Sequence, residues 1–148
     1  MKLIVACDPK GGIGYQNKLP WSKIEGDLPR FKELTTGCPI VMGRNTWDSL
    51  PKKPLPNRIN YVFSSKALDG AITLNDPIFL KSLHDGWVIG GAKVIETCWD
   101  MIDEIHLSKT FTEYTCDTFI DLLKLEREFM CWFKDTLTDH TYEIWKRK

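Results

Sequence analysis

Residues 87–99 read WVIGGAKVIETCW: a short apolar run, a glycine pair, then a stretch patterned as a helix. Trp87, Val88 and Ile89 show no polar alternation, which suits a strand covered on both faces. Gly90 and Gly91 permit a turn in which the backbone comes close to something else. A helix over Ala92 to Trp99 follows. Strand, glycine turn and helix form the unit from which parallel sheets are wound.

The same texture extends to both sides. Leu3 to Cys7, Ile40 to Met42 and Tyr61 to Phe63 are further apolar runs rich in β-branched or aromatic residues. Helical stretches lie between the runs, over Asp27 to Thr35, Thr46 to Leu50 and Pro77 to His84, the last with Asp76 as its cap. The expected class is α/β, with a mostly parallel sheet and four helices. After Asp103, Ile105 and Leu107 alternate with His106 and Ser108. Phe129 to Phe133 and Tyr142 to Trp145 then flank the polar turn Thr138-Asp139-His140, predicting a final hairpin with an antiparallel edge. Pro9 to Pro20 and Pro51 to Pro56 read as functional loops, so residues 1–148 are expected to form one domain.

Composition narrows the function classes. The 148 residues are 43% hydrophobic, and 20 basic residues balance 20 acidic ones. A phosphate-tracking nucleic-acid surface or a polybasic membrane patch would need local clustering, and the one cluster, Lys146 to Lys148, is a tail. The five cysteines are odd in number and widely spaced, which argues against a disulfide framework or a zinc cage. No apolar run reaches the ~20 residues of a membrane span, and the start MKLIVACD lacks a signal-peptide pattern. A soluble, cytoplasmic monomer is expected. His84, His106 and His140 are scattered and are expected at the surface, with no metal site.

The informative residues sit where strands end. Gly11-Gly12-Ile13-Gly14, Gly43-Arg44-Asn45-Thr46 and Gly90-Gly91-Ala92-Lys93 each follow a strand, and the carboxyl ends of strands are where open α/β sheets bind ligands. None spells the G-x-G-x-x-G fingerprint. Arg44, Ser64, Ser65, Lys66 and Lys93 could together hold a phosphate, while Arg58, after the rigid Pro54-Leu55-Pro56-Asn57 turn, suits a carboxylate. Each has a plainer reading as a solvated loop charge.

Asp27 lies on the stripe marked by Ile24, Leu28 and Phe31. A carboxylate facing an apolar wall is costly unless it binds a ligand or exchanges a proton, which makes it a candidate catalytic acid. The rival reading is a helix-start residue satisfying free backbone N–H groups between Gly26 and Pro29.

Seven stretches, IGYQNKLPW (13–21), DLPRFK (27–32), VMGRNTWDSLP (41–51), PLPNR (54–58), FSSK (63–66), VIGGAKVIE (88–96) and CDTF (116–119), resemble dihydrofolate reductase in order and spacing over essentially the whole chain. The resemblance implies an eight-stranded sheet whose last strand is antiparallel. It also implies NADPH-dependent hydride transfer to C6 of 7,8-dihydrofolate with protonation of N5, giving the tetrahydrofolate used in one-carbon metabolism and thymidylate synthesis. Asp27 then holds the pterin, Ser108 bonds to it, and Trp21 orders water nearby. Ile4, Val5, Leu28, Phe31, Leu50 and Ile89 form apolar walls, with Lys32, Lys53 and Arg58 along the groove for the glutamate tail.

For the cofactor, the resemblance implies that Ala6, Ile13, Gly14, Asn17, Lys18 and Leu19 meet the nicotinamide. Gly43, Arg44, Asn45, Thr46, Gly90, Gly91, Ala92, Lys93, Val94 and Ile95 would lie along the pyrophosphate, and Arg44, Ser64 and Ser65 at the 2′-phosphate. The Gly90-Gly91 pair resembles the family's cis bond. Ala92 replaces a frequent glycine, Ile95 a frequent tyrosine, and Asn45 a residue that is often basic. Antifolates are the implied inhibitors. Two alternatives stay open: a pyrimidine reductase of riboflavin synthesis, which looks similar in fold and cofactor, and a folate- or nicotinamide-binding protein without catalysis.

Overall fold

A computed structural model describes all residues, Met1–Lys148. In chain order the elements are β1 (Lys2–Cys7), β2 (Gly12–Gly14), α1 (Asp27–Thr35), β3 (Ile40–Gly43), α2 (Arg44–Ser49), β4 (Asn60–Phe63), β5 (Ile72–Leu74), β6 (Trp87–Gly90), α3 (Ala92–Cys98), β7 (Glu104–Thr110), β8 (Thr118–Phe119), α4 (Leu122–Glu128), β9 (Phe129–Thr136) and β10 (His140–Arg147). Eight strands form one sheet in the order β5-β4-β3-β6-β1-β7-β10-β9. The pairs from β5 through to β7 are parallel, and β10 runs antiparallel to both β7 and β9. The expected α/β sheet with its antiparallel C-terminal strand is the one observed. β2 and β8 form a separate two-stranded ribbon.

Strand alternation divides the core between the two faces. Leu3, Cys7, Val41, Val88, Ile105 and Leu107 pack with Val94, Ile95 and Cys98 of α3 and Leu125 of α4. Ile40, Met42, Val62 and Trp87 pack with Trp47 of α2, and Leu34 of α1 joins the same cluster. Both faces are covered, which is why these strands read as unbroken apolar runs. No helix is long and apolar enough to cross a membrane.

Four local expectations are corrected. Pro77–Ser82 is a 3-10 turn rather than a longer helix, although Asp76 caps it as expected by accepting from Ile78 N–H at 2.9 Å. The fourth α-helix is α4, capped by Asp121, which accepts from Lys124 N–H at 3.0 Å. Ile105 to Ser108 do not alternate between core and solvent, because both faces of β7 are covered: Ile105 and Leu107 lie in the α3 and α4 core, while His106 packs on Trp87 and Ser108 meets Asp27 and Arg30. β9 forms the edge at the C-terminal end of the sheet, and Met130, Trp132 and Phe133 on it are exposed. Finally, His106 and His140 are buried, at 6% and 0% exposure, while His84 is at the surface.

Candidate active site

Ile4 and Ala6 on β1 and Ile89 on β6 are only half-buried, although their strands lie in the middle of the sheet. Residual exposure there marks a cleft in the covering layer, at the face carried by α1 and α2. Ile4, Ile89 and Leu50 pack against the core on that face. Phe31 is half-buried and Leu28 is 72% exposed, so α1 presents apolar side chains to an open space. Val5 departs from the expected lining. Alternation along β1 sends its side chain to the opposite face, with the α3 and α4 core.

Asp27 opens α1, but it is not the cap. Gly26 occupies the cap position at φ 78°, a left-handed conformation open to glycine, and no side chain caps the turn. The Asp27 carboxylate instead looks across to β7, where Ser108 Oγ donates to Oδ1 at 2.7 Å. Arg30, one turn further along α1, donates from Nη1 to Ser108 Oγ at 3.2 Å and stands 3.9 Å from Asp27 Oδ1. Sequence reading missed Arg30; its i,i+3 spacing from Asp27 was the available signal. Trp21 is buried close by in the chain, edge-on to Tyr114 with ring centroids 5.7 Å apart.

The far end of α1 carries the second expected recognition group. Arg58 Nη1 donates to Thr35 Oγ1 at 3.0 Å and Nε donates to the Pro56 carbonyl at 2.8 Å, and the guanidinium lies 5.9 Å from the Phe31 ring. Partial burial lowers its pKa from the ordinary arginine value. Eight residue steps of α1 separate Asp27 from Thr35, about 12 Å along the axis, so the two charges mark opposite ends of one wall. Lys32 and Lys53 are exposed, and Lys53 Nζ donates to the Asp48 carbonyl at 3.2 Å.

The donor set on the other side suits a phosphorylated dinucleotide. Neither Gly43 before α2 nor Gly91 before α3 brings a side-chain cap, which leaves backbone N–H groups of both first turns to an outside acceptor. The two turns adjoin: a Cβ on Gly43 would sit 3.1 Å from Val94 Cγ2 and 3.8 Å from Gly91 N. The Gly90–Gly91 bond is cis, as the resemblance implies. Arg44 Nη1 lies 3.4 Å from Ser64 Oγ and its Nε donates to Asp48 at 3.1 Å, with Ser65 exposed next in the chain. Asn45 is exposed beside Thr46, and Ala92 and Lys93 begin α3. Val94 and Ile95 stand behind the cleft. Their side chains are in the core, and the Ile95 N–H donates to the Gly91 carbonyl.

The loop between β2 and α1 closes this side. Asn17 and Lys18 face Asn45, Asp48 and Ser49 across a cleft of about 470 Å³. Leu19 is exposed, and Ile13 and Gly14 are half-buried. The loop is tied down by Asp117, whose Oδ2 accepts from Gln16 N–H at 2.9 Å while its own N–H donates to the Gly14 carbonyl. The bond from Gln16 N–H, with a further one from the Thr118 hydroxyl, holds the Asp117 carboxyl below its ordinary value. Its base is fixed by Asp8, a buried carboxylate that accepts from the N–H groups of Lys10, Gly12 and Tyr114. No three histidine, cysteine, aspartate or glutamate side chains gather into a group able to hold a metal ion.

Comparison with known proteins agrees with this geometry. A family model described as dihydrofolate reductase matches residues 1–144. Dihydrofolate reductase type 8 of Escherichia coli is 34% identical over 98% of the chain and 94% of its own length. The bifunctional dihydrofolate reductase-thymidylate synthase of Paramecium tetraurelia is 38% identical over 80% of the chain, which spans 28% of that protein. A dihydrofolate reductase from Enterococcus faecalis, solved with NADP(H) and RAB-propyl, superposes with a TM-score of 0.82 at 25% identity, covering 99% of this chain and 95% of the other.

Proposed function

The chain belongs to the dihydrofolate reductase family and is an NADPH-dependent oxidoreductase; from that premise we propose that Asp27 holds the pterin of 7,8-dihydrofolate in the cleft over β1 and β6. The observation that carries this reading is the bond from Ser108 Oγ to Asp27 Oδ1. It orients the carboxylate and uses one lone pair of Oδ1, which leaves a lone pair on each oxygen to accept from the pterin's N3–H and 2-amino groups.

NADPH, when bound, supplies the hydride that reduces the C6=N5 bond. The chain's own residues do the rest. Ile4, Ala6, Leu28, Phe31, Leu50 and Ile89 give the cleft apolar walls, and a pterin seated between them displaces water, which strengthens the contact between the carboxylate and the pterin edge. Trp21 holds an ordered water through which N5 receives its proton, directly or by way of Asp27. Arg58, about 12 Å along α1, takes the carboxylate of the glutamate tail, with Lys32 and Lys53 on the same rim. Holding both ends of the substrate keeps C6 in position, and positioning of this kind supplies much of the rate. The N-termini of α2 and α3 receive the pyrophosphate, and Arg44, Ser64 and Ser65 the 2′-phosphate.

A monomer of one 148-residue domain, acting in the cytoplasm, completes the proposal; five free cysteines suit a reducing compartment. The test mixes the protein with NADPH and dihydrofolate, follows the loss of reduced-nicotinamide absorbance, and repeats the assay with methotrexate. Oxidation that requires dihydrofolate and stops with methotrexate is expected. Absorbance loss only with a pyrimidine substrate, or none at all, would replace this reading by one of its two rivals.

A further inference from the structure

A guanidinium stands directly behind the carboxylate just described. Arg30 is 18% exposed, and its surroundings hold it in place. The Tyr142 ring lies 4.1 Å from the guanidinium carbon, Nη1 donates to Ser108 Oγ, and His140 Nε2 is 3.4 Å from the same nitrogen. Strand register accounts for this enclosure, because Tyr142 on β10 pairs with Ser108 on β7 and His140 pairs with Thr110. His140 is anchored in turn by Asp139, which also accepts from Glu25 N–H ahead of α1. Asp27 and Arg30 therefore form a pair with no net charge, 3.9 Å apart.

We propose that Arg30 is a positioning residue that reduces the charge advantage a cationic ligand gains over a neutral one at the Asp27 wall. The inference rests on the reading that Asp27 holds the pterin. A neutral 2-amino-4-oxopterin edge needs two acceptor lone pairs, and Arg30, acting through Ser108, keeps the carboxylate oriented to supply them. A ligand bearing an amidinium, such as a protonated 2,4-diaminopyrimidine, binds a lone carboxylate through charge as well as hydrogen bonds. Against a carboxylate already paired with a guanidinium it gains less Coulomb attraction, and it meets a like charge in a partly buried site. The stacking on Tyr142 and the bond to Ser108 prevent the arginine from swinging away, so the discrimination is built into the wall.

The experiment compares the wild-type protein with Arg30→Met and Arg30→Lys, assayed with NADPH at a pH where the diaminopyrimidine is protonated. The reading is the inhibition constant of the diaminopyrimidine divided by the KM for dihydrofolate. Arg30→Met is expected to lower this ratio about tenfold, the size of one partly screened charge contact, while Arg30→Lys restores it to within about threefold of wild type. A purely structural role would weaken both ligands together; a ratio unchanged in Arg30→Met, or a lysine variant that behaves like the methionine one, overturns the proposal. If Arg30→Met does not fold, the lysine variant and Arg30→Gln, which keeps a donor without the charge, decide between the same two outcomes. Asp27→Asn in the same assay separates the layers. Undiminished turnover there defeats the reading of Asp27 itself, whereas lost turnover in Asp27→Asn together with an unchanged ratio in Arg30→Met defeats only the role of Arg30.

Discussion

Ser108 Oγ lies 2.7 Å from Asp27 Oδ1, joining the first turn of α1 to β7 across 81 residues of sequence. The bond sets the direction of the carboxylate, so its loss and the loss of the charge should have different sizes. Asp27→Asn is expected to reduce turnover of dihydrofolate by about 10²–10⁴, the range for a positioned acid or base, with NADPH binding preserved. Ser108→Ala should cost about tenfold in kcat/KM, near the lower end for a hydrogen bond to a charged group, and Ser108→Thr should retain most of it. Steady-state rates for Asp27→Asn near the wild-type value would end the assignment.

Arg58 is held by two fixed bonds at the end of α1 and keeps its remaining N–H groups for a ligand. Arg58→Leu should raise the KM for dihydrofolate at least about tenfold, as expected for losing a charge-assisted contact, and leave a pterin without the glutamate tail nearly unaffected. Equal losses for the two substrates would remove the clamp role.

His106 gives the fold a pH dependence. Burial lowers its pKa from the ordinary 6.5, although Glu104 pulls the other way. Burial also raises the Tyr142 pKa, keeping the hydroxyl as a donor to Nδ1, while Nε2–H donates to Glu104 at 2.7 Å. The unfolded chain therefore binds this proton more readily than the folded one. Stability should be complete above pH 6.5 and decline as pH falls from there toward the lower folded value. Denaturant midpoints from pH 7.5 to pH 5 should show this decline in the wild type and less of it in His106→Gln; parallel curves would exclude His106 as the source.

Asp8 satisfies three backbone N–H groups at the root of the β2 loop. Asp8→Ala leaves the buried Gly12 N–H without its partner, and should destabilise the protein by about 3 kcal/mol. Asp8→Asn, which keeps one acceptor oxygen, should fall between. Urea titration measures both, and an unchanged midpoint for the alanine variant would show that the loop does not depend on this anchor.

The cysteines should separate by reactivity. Burial pushes the Cys7 thiol up to about 12 and Cys98 up to about 11, whereas Cys131 is exposed on β9. A thiol-alkylating reagent applied to the native protein should label Cys131 first and spare Cys7 and Cys98 until denaturant is added, as peptide mapping would read. Early labelling of Cys7 would mean that the β1 end opens under native conditions.

The sequence by itself determined the α/β class, the strand cores and the glycine turns, because these depend on local patterns of apolar residues and backbone freedom. It also identified Asp27, Arg58 and Arg44 as candidate ligand groups from charge set against apolar or rigid neighbours. It did not determine which way those charges point. Asp27 has a helix-start position in either reading, and only the approach of β7, bringing Ser108, distinguishes a pocket carboxylate from a cap. Burial of His106 and His140, the face taken by Val5, and the Arg30 pair were likewise decided by tertiary structure. Each depends on strand register and on a helix laid across distant strands, relationships between segments that no local pattern encodes.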